Sequence, residues 1–280
     1  MTINKTIIQL ICPDQRGIIS KISSAILASK SNILSIEQHV DNAKNKFYIR
    51  LLVDTNKKET ENENLTEKLL EINLKLKGEM KILNADEKLK VAIFATKESE
   101  PVYDILIKNQ SNELCCEIPI IISNHGNLRN IANQFNIEYK EISSSEKAQD
   151  LKEILKKYSI DLIVLARYMQ IISPEIVRDY KHRIINIHHG FLPAFKGAKA
   201  SHQAFEKGVK MIGATSHYVT NELDEGPIIA QDVIPVNHTY SINKTIQSGR
   251  QIEKNVLSRA IKAHIEHKII VYDNKTIIFN

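Results

Sequence analysis

Apolar residues in the first 84 positions follow two periods in turn. Residues 5–12 form a β-rich run, the turn Cys12-Pro13-Asp14-Gln15-Arg16-Gly17 follows, and Ile18, Ile19, Ile22, Ile26 and Leu27 then recur at helical spacing. Residues 33–40 and 46–53 read as strands on either side of the polar loop Asp41-Asn42-Ala43-Lys44-Asn45. Beyond the polar stretch 56–64, Leu65, Leu69, Leu70 and Leu74 mark a second helix, and residues 80–83 a short fourth strand. This order, βαββαβ, predicts a ferredoxin-like domain over residues 1–84: a four-stranded antiparallel sheet with both helices on one face.

The pattern changes after the charged segment Asp86-Glu87-Lys88, and residues 85–280 read as a second domain. Strands at 89–95 and 118–122 alternate with helices at 102–107, 128–135 and 147–158. Residues 161–166 are almost continuously apolar, as a central parallel strand buried on both faces requires, and residues 184–187 are the next strand. Residues 211–219 and 228–236 predict a hairpin at one edge, 242–266 a long amphipathic helix, and 269–272 with 275–279 a terminal hairpin about Asp273-Asn274. The fold class is therefore α/β, with a doubly wound, Rossmann-like domain following the ferredoxin-like one.

Composition adds exclusions. The 280 residues suit one or two domains, and 42% hydrophobic with 25% charged residues is the balance of an ordinary globular chain. The net charge of +5 comes from lysines interspersed with acids, not from a stripe that would bind nucleic acid. Three cysteines make no disulfide framework; Cys115 and Cys116 sit on what reads as a strand, facing opposite ways, without zinc-ligand spacing. The N-terminus does not read as a signal peptide, and no run approaches a membrane span, so a cytoplasmic location is expected, with no membrane partner.

Ligands of open α/β sheets sit beyond the carboxyl ends of strands, and the loops after Ala166, His188 and Val219 are all unusual in composition. In Asn186-Ile187-His188 the two polar side chains share one strand face. Asp224, in the acidic turn Thr220-Asn221-Glu222-Leu223-Asp224-Glu225-Gly226-Pro227, completes a set if it faces them. A carboxylate beside an imidazole orients it and favours its charged form, and an amide donates to an oxygen gaining charge; acyl transfer or hydrolysis at a small carbonyl is the implied chemistry. Glu222 and Glu225 read as a solvated turn. The chain has no G-x-S-x-G elbow, and Ser201 and Ser216 lack the setting of an activated serine, so the attack should come from an external nucleophile. His189 either packs or lines the site, His217 alternates with Thr215 and Val219 and either faces the cleft or does not, and no metal or cofactor is expected.

The run from Asn186 to Gly197, together with His217-Tyr218-Val219-Thr220-Asn221-Glu222-Leu223-Asp224-Glu225-Gly226-Pro227, resembles the formyltransferase family that handles 10-formyltetrahydrofolate. The resemblance assigns Asn186, His188 and Asp224 as the catalytic residues. It assigns Arg167, Tyr168, Met169, Gln170, Ile171 and Ile172, with Val219 and Thr220, to folate binding. Position 190 is Gly where the similar subfamily leads us to expect Ser. The first domain resembles an ACT domain, whose turn Asp14, Gln15, Arg16 and Gly17 would bind an amino-acid effector, glycine or methionine, in a homo-oligomer paired through ACT domains.

An ACT domain ahead of a formyltransferase-like domain is the layout of the formyltetrahydrofolate deformylases, and residues 248–257 also resemble them. The resemblance implies hydrolysis of 10-formyltetrahydrofolate to tetrahydrofolate and formate, balancing folate pools and supplying formate for purine synthesis. An amine-directed formyltransferase and a non-catalytic folate and amino-acid sensor are the alternatives. The loop after the first strand of the second domain discriminates. Thr96-Lys97-Glu98-Ser99-Glu100-Pro101 has no glycine, two acids and a proline, so it serves a phosphate-bearing acceptor poorly, and water is the expected acceptor.

Overall fold

A computed structural model describes residues 4–55, 59–142, 148–197 and 199–280; the N-terminal Met1-Thr2-Ile3, the start of the polar stretch at 56–58, and Lys147, the expected first residue of a helix, lie outside the described residues. The chain divides into two compact units. The smaller holds residues 1–87 together with Glu266–Ile270 and Ile278–Asn280; the larger holds Lys88–Ile265 and Val271–Ile277.

In the smaller unit the elements are β1 (Asn4–Pro13), α1 (Ile18–Ala28), β2 (Asn32–Asp41), β3 (Lys46–Thr55), α2 (Glu59–Leu76) and β4 (Glu79–Asn84). The sheet order is β2-β3-β1-β4, all antiparallel. Strand alternation sends Ile8, Leu10, Phe47, Ile49, Leu51 and Val53 to one face, where Ile18, Ile22 and Ile26 of α1 and Leu65, Leu69 and Leu76 of α2 close a single core. The opposite face is not left to solvent. Ile7, Gln9, Tyr48 and Arg50 are all buried there, and the side chains of Gln9 and Arg50 grip the main chain of residues 266–269. Gln9 Nε2 donates to the carbonyls of His267 (2.9 Å) and Ile269 (3.3 Å), and Arg50 donates through Nε to His267 and through Nη2 to Glu266, each at 2.9 Å.

The larger unit is built on β5 (Lys90–Ala95), α3 (Glu100–Gln110), β6 (Glu117–Ser123), α4 (Arg129–Gln134), β7 (Glu138–Glu141), α5 (Ala148–Lys157), β8 (Leu162–Ala166), α6 (Pro174–Asp179), β9 (Ile184–His188), α7 (Ala200–Glu206), β10 (Met211–Tyr218), β11 (Ile228–Pro235) and α8 (Ile242–Ile265). Its seven-stranded sheet runs β11-β10-β9-β8-β5-β6-β7; the five strands from β9 to β7 are parallel, and β10 and β11 are antiparallel to their neighbours. Every residue of β8 is buried, which is why its sequence is an unbroken apolar run. The remaining strands, β12 (Ile269–Tyr272) and β13 (Lys275–Ile278), form the terminal hairpin.

Three expectations need correcting. Cys115 and Cys116 precede β6, which begins at Glu117; the first is exposed and the second buried, but not as strand neighbours. The polar tetrad of β7 and the six- and seven-residue helices α6 and α7 escaped the sequence reading, because elements this short carry no measurable period. Finally, the loop after Val219 does not leave from the same end of the sheet as those after Ala166 and His188. Because β10 is antiparallel to β9, Val219 N bonds to the carbonyl of Ile184, the first residue of β9.

Candidate active site

The antiparallel register is what gathers the polar residues. Asn186 and His188 share a face of β9, and their cross-strand partners on β10 are His217 and Thr215, so four polar side chains stand together on one face. Asp224 joins them because the segment after Val219 folds back: Tyr218 N bonds to the carbonyl of Pro227, closing the loop. That return needs Gly226, where a Cβ would lie 1.7 Å from the Tyr218 carbonyl oxygen. Asp224 itself takes a left-handed backbone, φ 57°.

Asp224 is the hub. Its Oδ2 lies 3.3 Å from His188 Nδ1 and accepts the Gly197 N–H at 3.0 Å, and its Oδ1 lies 3.7 Å from His217 Nε2. Asn186 Nδ2 is 3.2 Å from His217 Nε2, and His217 Nδ1 donates to its neighbour's carbonyl, that of Tyr218, at 2.9 Å. With Nδ1 carrying the proton, His217 Nε2 accepts from Asn186, which fixes the amide so that its nitrogen is the donor at the cleft. His188 Nε2 donates to the Phe195 carbonyl at 2.6 Å. Both nitrogens of His188 thus face acceptors, the arrangement that suits an imidazolium.

Burial alone would raise the Asp224 carboxyl; the hydrogen bonds of His188 and the Gly197 N–H, with the charge of His188, outweigh it and hold the group well below the usual carboxylate range. Asp224 is therefore ionised throughout the working range. A carboxylate held that low is a weak proton acceptor, which suits it to orienting its neighbours and a water molecule.

Asn186, His188 and Asp224 line one cleft of about 260 Å³ together with Arg167, Tyr168, Met169, Gln170 and Ile171; His189 lines it too. Met169 is 53% and Ile171 89% exposed, leaving an apolar rim that suits a flat ring. The structure does not bring the other three expected binding residues to this cleft. Ile172 is buried in the core under α6, Val219 packs on that core while pairing with Ile184, and the Thr220 hydroxyl is taken by the Glu222 carbonyl. Arg167 directs its guanidinium to Glu253. Asp14, Gln15, Arg16 and Gly17 are exposed in the smaller unit, on the turn between β1 and α1, with Gly17 at φ 85°.

Sequence reasoning left His217 undecided and gave no part to Thr215. Thr215 is fully buried; its Oγ1 donates to the Gly190 carbonyl and accepts from Leu192 N, pinning the loop after β9. The alternation of Thr215 and His217 was the available signal, and only the register against β9 turns it into a site. Gly190 also acquires a reason. A Cβ there would lie 2.7 Å from the Phe195 carbonyl and 2.9 Å from His188 Nε2, so glycine permits the close approach of that carbonyl to His188. Lys196 pairs with Glu225 across the two loops, and Glu225 remains exposed, as expected of a solvated turn. Burial pushes the Cys12 thiol up to about 11 and the Cys116 thiol up to about 12, and neither lines the cleft. Among the described residues no group of His, Cys, Asp and Glu is arranged to hold a metal ion, and no helix is long and apolar enough to cross a membrane.

The formyl transferase family model matches residues 89–261. Among curated relatives, the formyltetrahydrofolate deformylase of Synechocystis sp. is 42% identical over 273 residues, covering 96% of each chain. That of Bacillus subtilis is 41% identical over 276 residues, covering 96% of this chain and 92% of the relative. The crystal structure of a formyltetrahydrofolate deformylase from Pseudomonas syringae pv. tomato superposes with a TM-score of 0.94 at 37% identity, covering 100% of this chain and 96% of that one.

Proposed function

The chain belongs to the formyltetrahydrofolate deformylase family, and from that premise we propose how its cleft carries out the reaction. The enzyme hydrolyses 10-formyltetrahydrofolate to tetrahydrofolate and formate. The observation that carries the assignment of the chemistry to this cleft is the cluster of half-buried Asn186 with buried His188, His217 and Asp224 beside the apolar rim of residues 167–171.

In the proposed mechanism the formyl carbon stands over Asn186 and His188. Asp224 orients a water molecule, whose oxygen attacks that carbon; once bonded, that oxygen is acidic enough for even Asp224 to take its proton, which replaces the one His188 then gives up. Asn186 Nδ2 and protonated His188 donate to the oxyanion of the tetrahedral intermediate. His188 then gives a proton to N10, the C–N10 bond breaks, and tetrahydrofolate leaves. The second hydroxyl proton is lost as formic acid ionises. His188 reaches the substrate once its Nε2–H exchanges the Phe195 carbonyl for the substrate oxygen.

Water as acceptor is supported by the loop after β5. The loop contains no glycine, its Glu98 carboxylate pairs with Arg250 at 3.3 Å, and Glu100 opens α3, so an anionic acceptor meets acid rather than free backbone N–H groups. The deciding experiment measures formate released from 10-formyltetrahydrofolate with no amine present. Steady release is expected; formyl transfer seen only on adding an amine would overturn hydrolysis.

We extend the proposal to regulation. The antiparallel order β2-β3-β1-β4, the exposed turn at Asp14–Gly17 and the half-exposed Leu34 and Ile36 on edge strand β2 support an ACT domain that pairs with a second copy and takes an amino-acid effector such as glycine or methionine. Asp14→Ala should shift the effector concentration for half-response and leave activity without effector unchanged. An unshifted response would remove this turn from the effector site. Three free cysteines and a folate substrate support a cytoplasmic setting, where the formate released would feed purine synthesis.

A further inference from the structure

We propose that Glu253 is a positioning residue for this reaction: acting through Arg167, it sets the loop on which the folate ring rests. The proposal rests on the reading of the cleft as the folate site.

Glu253 lies in the middle of α8, with its side chain 4% exposed, and Arg167 Nη1 donates to both of its oxygens, at 2.9 and 2.7 Å. A carboxylate is not buried inside a helix packing face without a partner, and Arg167 is that partner. Arg167 is the first residue beyond β8, and its backbone is left-handed, φ 56°, a conformation that side chains other than glycine, asparagine and aspartate rarely take. The ion pair therefore holds an unfavourable backbone turn in place, and that turn sends residues 168–171 along the cleft.

Two further anchors fix the same loop. Tyr168 packs edge-on against Phe94, ring centroids 5.4 Å apart, and Met169 N donates to Thr96 Oγ1 at 3.0 Å. Three anchors on three consecutive residues leave Met169 and Ile171 as the exposed apolar rim. One turn earlier on α8, Arg250 holds Glu98, so the same helix also steadies the loop after β5. Glu253 does not line the cleft, so its contribution passes through Arg167 and is felt in substrate binding more than in the chemical step.

Kinetics of formate release by Glu253→Gln, Arg167→Met and the double variant test this. Glu253→Gln should raise KM for 10-formyltetrahydrofolate roughly tenfold to a hundredfold, with a smaller fall in kcat, because a displaced loop loses ring contacts made equally in the ground and transition states. The double variant should be no worse than Arg167→Met alone, since the carboxylate has nothing left to act on. A folded Glu253→Gln enzyme with wild-type KM overturns the proposal, and so do a fall in kcat alone and additive losses in the double variant. Should Glu253→Gln not fold, Arg167→Met with Glu253→Leu removes both buried charges and decides by the same KM criterion. Calorimetric Kd values for tetrahydrofolate should rise in parallel with KM. This measurement needs no turnover, so failure of the hydrolase reading and failure of the Glu253 assignment are told apart.

Discussion

The smaller unit buries Gln9 and Arg50 against main-chain carbonyls, whereas the larger unit buries His188, His217 and Asp224 against one another. Both solve the same problem, that a polar group taken from water needs a partner. In the smaller unit the partner is backbone, and the result is a fastened segment. In the larger unit the partners are ionisable side chains at the rim of a cleft, so the network keeps protons that can move. Buried polarity alone does not mark a catalytic site; what the partners are does.

The sharpest way to break this contrast is to remove the hub of the second network. Asp224→Asn and Asn186→Ala should each lower kcat for formate release by about 10²–10³ while tetrahydrofolate still binds, the cost of losing an orienting charge or an oxyanion donor. Near-wild-type turnover in Asp224→Asn would refute its assigned role. His217→Phe keeps the ring volume but frees the Asn186 amide to rotate; one lost hydrogen bond predicts a fall in kcat of about tenfold. A loss as large as that of Asn186→Ala would make His217 a catalytic group in its own right.

Arg50→Met should do the reverse, lowering stability by about 1–3 kcal/mol through the unpaired carbonyls of Glu266 and His267 while kcat and KM stay put. Thermal unfolding beside kinetics checks this, and a loss of turnover equal to that of His217→Phe would erase the distinction between the two networks. The smallest effect is a matter of pH. The Asp224 carboxyl is depressed below its ordinary value of 3.8, so its contribution to stability is complete above that value and is lost as the pH falls below it. The stability difference between wild type and Asp224→Asn should be flat between about pH 8 and 5 and should narrow in acid. A difference that widens in acid would contradict the depressed carboxyl.

The parts of the fold legible in the sequence were those with a period. Ile18, Ile22 and Ile26 announce α1, and the unbroken apolar run of β8 announces a strand covered on both faces. Asn186 and His188 were legible as a pair because strand geometry places alternate residues together. Asp224 was legible only on the condition that it faces Asn186 and His188, and the resemblance supplied the assignment, since nothing local says that its loop folds back from the far end of β10. His217, Thr215 and Glu253 were hidden for a common reason. Their meaning lies in a cross-strand register or in a helix more than 80 residues away, and chain periodicity carries neither.

Residues 266–270 and 278–280 belong to the unit that the first 87 residues begin. Domains generally fold as they emerge during synthesis, N-terminal first. Here the unit made first is completed last. Until residue 266 has left the ribosome, Arg50 and Gln9 have no carbonyls to hold. A nascent chain halted before that point therefore has all four strands of the sheet but lacks the main-chain carbonyls that Gln9 and Arg50 hold.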